Sequence, residues 1–153
     1  MRRKKHYFES LPDDPPPITA VIQRRLRFSD TDPLRIAWHG RYPLFFEEAQ
    51  TELGHKCGLT YAAYQQAGIG APIAQMHIDY FEPLHLDDVF TVRASLFSNE
   101  EYEITVSDGR LICTGYTVQM FIRLETGEAL WLNPPLWEEC RKRWRKGEFH
   151  VGA

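Results

Sequence analysis

One run in this chain, YPLFFEEAQTEL at residues 42–53, repeats apolar side chains at helical spacing along its whole length. Tyr42, Phe45, Phe46, Ala49 and Leu53 form the stripe, while Glu47, Glu48 and Glu52 lie away from most of it. Gly54 is the expected stop. Most of the chain beyond this helix reads as strand. A lone long helix must bury its stripe, and the only surface large enough is the concave face of a curved antiparallel sheet. The expected class is therefore α+β, an antiparallel sheet wrapped around one long central helix.

The strands lie on both sides of that helix. Residues 18–28, ITAVIQRRLRF, alternate at Ile22, Leu26 and Phe28 as a half-buried strand does. After a looser segment, LTYAAYQQAGIG, the strands APIAQMHIDYF and DVFTVRASLF flank the turn EPLHLD. EYEITVS is joined by the hairpin pair Asp108-Gly109 to RLICTGYTVQMFIRL, and the turn ETGE precedes a short strand, ALWL. A last helix is expected near residues 134–145, with Asn133 as N-cap, Pro134 at its first position and Leu136, Cys140 and Trp144 on its apolar face. Three prolines in DDPPP exclude helix and inner strand, so residues 1–17 read as an extended or mobile lead and 18–146 as one domain. A sheet of this size leaves a strand edge, and APIAQMHIDYF is the segment expected to pair with its copy in a second subunit.

Composition narrows the function classes. With 153 residues, 43% of them hydrophobic and 25% charged, the chain suits one soluble domain with a single core. A net charge of −3 gives no overall drive toward nucleic acid. Basic residues crowd positions 2–5 and 141–146, which reads as solvated tails or helix faces, with an anchor for a phosphate-bearing ligand as the sharper alternative. Three cysteines with no CxxC pair fit reduced thiols, and the basic start has no apolar signal-peptide core, so a cytoplasmic location is expected. No stretch approaches the roughly 18 apolar residues of a membrane span. The histidines show no paired ligand spacing, and neither a metal nor a cofactor is expected.

The densest chemistry lies in DTDPLRIAWHGRY, residues 30–42. Asx-x-Asx-Pro is a good turn in its own right, with Asp30 or Asp32 bonding neighbouring backbone. The same segment delivers an acid to a helix N-terminus, whose first N–H groups are unpaired and lie at its positive end. A carboxylate beside oriented N–H donors supplies what attack on a carbonyl needs, a base or nucleophile and a place for the developing oxyanion. On residues alone both readings stand.

RLRFSDTDPLRIAWHGRYPLFFEEAQTELGHKCGL, followed further on by AQMHIDYFEPLHLDDVFTVRASL, resembles the 4-hydroxybenzoyl-CoA thioesterase family of hotdog-fold proteins over residues 22–124. The resemblance implies a hotdog fold, two subunits joined edge to edge as a homodimer or homotetramer, and an acyl-CoA at the subunit interface. Coenzyme A then enters only as part of the substrate. Asp32 matches the family's catalytic aspartate, and His39 the position whose backbone N–H faces the thioester carbonyl. Trp38, Tyr42, Met76 and His77 are the candidate substrate-binding residues. Two departures stand out, Arg35 where a small residue or glycine is common, and Gly40-Arg41 where the family has asparagine. The expected activity is hydrolysis of an acyl-CoA to free acid and CoA. The alternatives are a hotdog hydratase or dehydratase using His39 with Glu47 or Glu48, and a non-catalytic acyl-thioester binder with Arg35 against Asp32. A carrier-protein arm could present the acyl group in place of CoA.

Overall fold

The computed structural model of the protein describes residues 6–149. Its helices are α1 (Tyr42–Cys57), α2 (Tyr61–Gln66) and α3 (Pro135–Arg145). Five strands, β1 (Ile18–Arg25), β3 (Ile73–Tyr80), β4 (Val89–Leu96), β5 (Glu100–Val106) and β6 (Leu111–Gln119), pair antiparallel in the order β1-β4-β5-β6-β3. A separate ribbon joins β2 (Ile69–Gly70) to β7 (Ile122–Arg123).

The stripe of α1 lies on one face of the five-stranded sheet. Phe46 stacks almost parallel on Tyr102 of β5, with ring centroids 4.5 Å apart, and Phe45 tilts onto Phe90 of β4 at 5.0 Å. Both phenylalanines are buried, and each contributes about 2 kcal/mol of apolar burial. So close an approach needs a gap in the sheet. Gly115 of β6 provides it, since a Cβ there would stand 2.9 Å from Phe46 Cε2 and 2.6 Å from the His77 carbonyl oxygen on β3.

Several boundaries differ from the sequence reading, each for a tertiary reason. The helix does not stop at Gly54 but continues to Cys57 and is capped by Gly58, whose φ of 81° is left-handed. Gly54 is a packing glycine: the chain folds back over it, and a Cβ would meet the Leu59 carbonyl oxygen at 2.5 Å. β1 ends at Arg25, and Phe28 sits 81% exposed on a 3-10 turn, Phe28–Asp30. There the buried Asp30 carboxylate accepts the Arg27 N–H at 2.9 Å and turns the chain out of the sheet. The long strand after Gly109 breaks beyond Gln119, whose amide donates to the Ala71 carbonyl at 2.9 Å. ALWL forms one bridge, Ala129 to Ile122, and no strand; Trp131 is 99% exposed. The cap of α3 is Pro134, and the Asn133 amide instead bonds Glu138 at 3.2 Å.

Residues 6–17 carry no helix or strand and are tied to the sheet face away from α1. Tyr7 donates to Asp79 at 2.5 Å, the Phe8 N–H to Glu101 at 2.6 Å, and Trp144 of α3 to the Pro16 carbonyl at 2.8 Å. The basic run at residues 2–5 lies outside the described residues. At the other end, Arg141 donates to the Phe97 carbonyl and covers the Trp144 ring at 4.3 Å, while Arg143 pairs with Glu148 at 2.7 Å. Those two cations therefore serve packing. No helix of the described residues is long and apolar enough to cross a membrane.

Replacing Gly115 by alanine should destabilise the protein by about 1–3 kcal/mol, because the added methyl meets a rigid ring and a carbonyl. Urea denaturation measures it. A midpoint equal to that of the unaltered chain would mean that α1 does not depend on this gap, and Phe46→Leu in the alanine background should recover part of the loss.

Candidate active site

Between β1 and α1 the chain closes a small hairpin. Thr31 bridges Ala37, the Asp32 N–H donates to the Ile36 carbonyl at 2.9 Å, and the Arg35 N–H donates to the Asp32 carbonyl at 2.9 Å. Arg35 has a φ of 61°, a left-handed conformation that costs a residue with a Cβ about 1–2 kcal/mol. That gives a physical reason for small residues at this position. The hairpin is docked on residues 84–86: Ile36 bridges His85, the Ala37 N–H donates to Leu84 and the Leu86 N–H to Arg35.

The two acids have separate surroundings. Asp30 is buried, its Oδ1 lies 3.9 Å from Arg24 and 3.8 Å from Arg41, and its carbonyl accepts the Trp38 N–H. It holds the loop. Asp32 is half-buried; Oδ1 accepts the Leu34 N–H at 2.8 Å, and Oδ2 has no hydrogen bond from a described residue. Its charge is felt at the Tyr42 hydroxyl, where it adds to burial in raising that group far above the ordinary phenol range.

The chain reaches α1 through a 3-10 turn, His39–Arg41, and the helix proper begins at Tyr42, where the apolar stripe of the sequence begins. Among the described residues, neither the His39 nor the Gly40 N–H donates a backbone hydrogen bond. Trp38, 47% exposed, lays its indole over Gly40, where a Cβ would fall 2.3 Å from Trp38 Cζ3. This close cover leaves no room for a side chain at Gly40. The His39 ring lies 5.1 Å from the indole, and its carbonyl accepts the Tyr80 hydroxyl at 3.4 Å.

The substrate-binding candidates do not all converge. Tyr42 is 3% exposed and set edge-on to Tyr80 at 5.1 Å, a core position behind the turn. Met76 lies on β3 opposite Thr117, on the sheet face that α1 covers. His77 points to the other face, where it stacks on Tyr116 at 5.3 Å and pairs with Asp79 at 2.9 Å. Trp38, His39, Asp32 and Tyr42 are thus gathered at the start of α1, and His77 is not among them. Glu48, one of the two alternative acids for a hydratase acting with His39, is engaged by Arg24 of β1. Sequence reasoning missed Tyr80, which ties the edge strand to the His39 peptide. It also missed Glu100, a buried acid on the wall of a cavity of about 380 Å³ between α1, α2 and β2.

The comparisons with known proteins bear on this arrangement. A protein of Aquifex aeolicus is 31% identical over 87 residues, 57% of this chain and 68% of its own length. The acyl-CoA thioester hydrolase YbgC of Escherichia coli is 26% identical over 74 residues, 48% of this chain; the match spans only 55% of that relative's length. The crystal structure of a DHNA-CoA thioesterase from Staphylococcus aureus superposes with a TM-score of 0.72 over 88% of this chain and 96% of its own, at 22% identity. At that identity the likeness bears on the fold alone, and the shared layout is the hotdog arrangement of one long helix on an antiparallel sheet. The family model described as the thioesterase-like superfamily matches residues 26–144, from the end of β1 through α3, and the chain belongs to that superfamily.

Proposed function

We propose that this protein hydrolyses acyl-CoA thioesters to free acid and CoA. The observation that carries the reading is the place of Asp32 in a chain of this superfamily, with one carboxylate oxygen unbonded by any described residue, on a hairpin that leads into α1. A thioester whose carbonyl oxygen meets the His39 and Gly40 N–H groups would present its carbon to that oxygen. Asp32 then takes a proton from water as the water adds, or adds itself. The tetrahedral oxyanion is held by the N–H pair, and its collapse breaks the C–S bond and expels the CoA thiolate, which takes up a proton. Where Asp32 was the nucleophile, the acyl group is left on it as an anhydride that water then hydrolyses to the free acid and Asp32.

The resemblance to the 4-hydroxybenzoyl-CoA branch, and the names of the Escherichia coli and Staphylococcus aureus relatives, support a CoA thioester as substrate. Arg35 and Gly40-Arg41 fall on the hairpin and the turn around the carbonyl end, so they bear on which acyl group fits. Three buried free cysteines support a reducing compartment such as the cytoplasm. β3 is an edge strand with Ile73, Met76 and Tyr80 exposed, and its pairing with the β3 of a second copy is the proposed assembly.

Asp32→Asn should keep the fold and lower kcat by about 10²–10⁴, read as thiol released from a panel of aromatic, short and long acyl-CoAs. More than a tenth of the unaltered kcat in that variant would remove Asp32 from the chemistry. Light scattering should give at least a dimer at micromolar concentration; a monomer would sink the edge pairing.

A further inference from the structure

Glu100 opens β5 in the register that faces α1, and its side chain is 9% exposed. Two donors reach it, Gln50 Nε2 at 2.5 Å and the Tyr102 hydroxyl at 2.7 Å, and both bond the same oxygen, Oε2. Oε1 takes no hydrogen bond from a described residue. Nor is it closed off, since among the described residues the only buried side-chain nitrogen or oxygen without a partner is Arg24 Nε. Oε1 therefore looks onto open cavity space. Glu100 and Gln119 are the shared wall of two such spaces, of about 380 and 280 Å³.

The larger one exposes more apolar than polar surface, with Leu59, Tyr64, Ile69 and Leu124 on its walls. At roughly 30 Å³ per water it holds far more than the single solvent molecule that would satisfy one oxygen. Burial holds the carboxyl above the usual carboxylate range, against the pull of its two hydrogen bonds. A buried acid with one oxygen filled twice and the other left open is costly unless a donor arrives from outside the chain.

Gln50, which lines this space, lies 11 residues beyond His39, about 16 Å along a helix at 1.5 Å per residue. An extended chain advancing about 1.2 Å per bond covers that with roughly a dozen carbons. The α1 wall continues toward the helix start, for Thr51 lines the same space, its hydroxyl donates to the Glu47 carbonyl, and the Tyr61 hydroxyl across from it feels the charge of Glu47. We propose that this chamber receives the far end of a medium-length acyl chain, and that Glu100 selects chains with a terminal hydroxyl, which donates to Oε1. The proposal rests on the thioesterase reading for the word acyl.

Binding of free acids to the full chain, measured by calorimetry, tests the chamber without turnover. 12-Hydroxydodecanoic acid should bind about tenfold tighter than dodecanoic acid, the worth of one well-made hydrogen bond. 12-Methoxydodecanoic acid, which accepts but cannot donate, should bind no better than the unsubstituted acid. In Glu100→Met the preference should vanish. Equal binding of the hydroxy and methoxy acids, or no preference over dodecanoic acid, would overturn the proposal whether or not the variant folds. Tighter binding of 12-aminododecanoic acid would overturn the hydroxyl in favour of an ammonium. The CoA thioesters of the same acids separate the two readings. Thiol release with no discrimination keeps the thioesterase and rejects the chamber's selectivity. Discrimination in binding without thiol release keeps the chamber and rejects the thioesterase.

Discussion

The seating of Phe46 between Tyr102 and Gly115 is the contact on which the rest of the arrangement depends. A ring stacked on one strand and pressed into the gap left by a glycine on the next fixes the height and rotation of α1 over the sheet. Both ends of the helix then fall into place. Tyr42, one turn earlier, meets Tyr80 of the edge strand, and the Tyr80 hydroxyl reaches the His39 carbonyl. Gln50, one turn later, meets Glu100 at the head of β5. The start of the helix, where the carbonyl chemistry is proposed, and the buried acid near its far half share one packing constraint.

At Asp32 a turn and an available carboxylate oxygen coexist at the level of single atoms. A carboxylate has two oxygens, and here one caps the Leu34 N–H while the other is unbonded to the described residues. The turn is what aims the acid. Asp30, two residues earlier, shows the contrary arrangement, a buried carboxylate placed among two guanidinium groups and a backbone N–H. Fixing one acid in place and leaving its neighbour half satisfied gives the loop rigidity and keeps one oxygen of Asp32 available for the role proposed for it.

How much of this was legible in the sequence depends on which contacts are local. The stripe on α1 and the alternation of the central strands are local patterns, and they lead directly to a helix on a sheet. The role of Gly54 is not local, because only the returning chain at Leu59 distinguishes a packing glycine from a stop. The exit of β1 at Arg25 depends on a buried Asp30 five residues on, which no alternation records. Glu100 was closer to hand. Tyr102, Ile104 and Val106 share the inward face, and the period of two extends one step back to Glu100. An acid at that step reads as the polar start of a strand until the cavity beside it is seen. For the site, the order of Asp32 and the helix was legible, while the sheet face that His77 occupies was not, because one residue of register reverses the face of a strand.

A final constraint concerns water. N–H donors stabilise an oxyanion far more in a dry, low-dielectric site than in solvent. In the single chain, Leu34, Trp38 and Tyr80 near the helix start are exposed. Apolar groups this close together on one rim normally mark a surface that something covers. β3 carries Tyr80 at the edge of the sheet, next to the His39 peptide, so a partner on that edge would lie close to the proposed carbonyl site. A second copy of the chain, joined there as proposed, would satisfy the strand's free backbone groups and exclude water from the donors in one step. Assembly and catalysis would then depend on the same edge, and a substitution on β3 that weakened pairing would slow hydrolysis without touching Asp32.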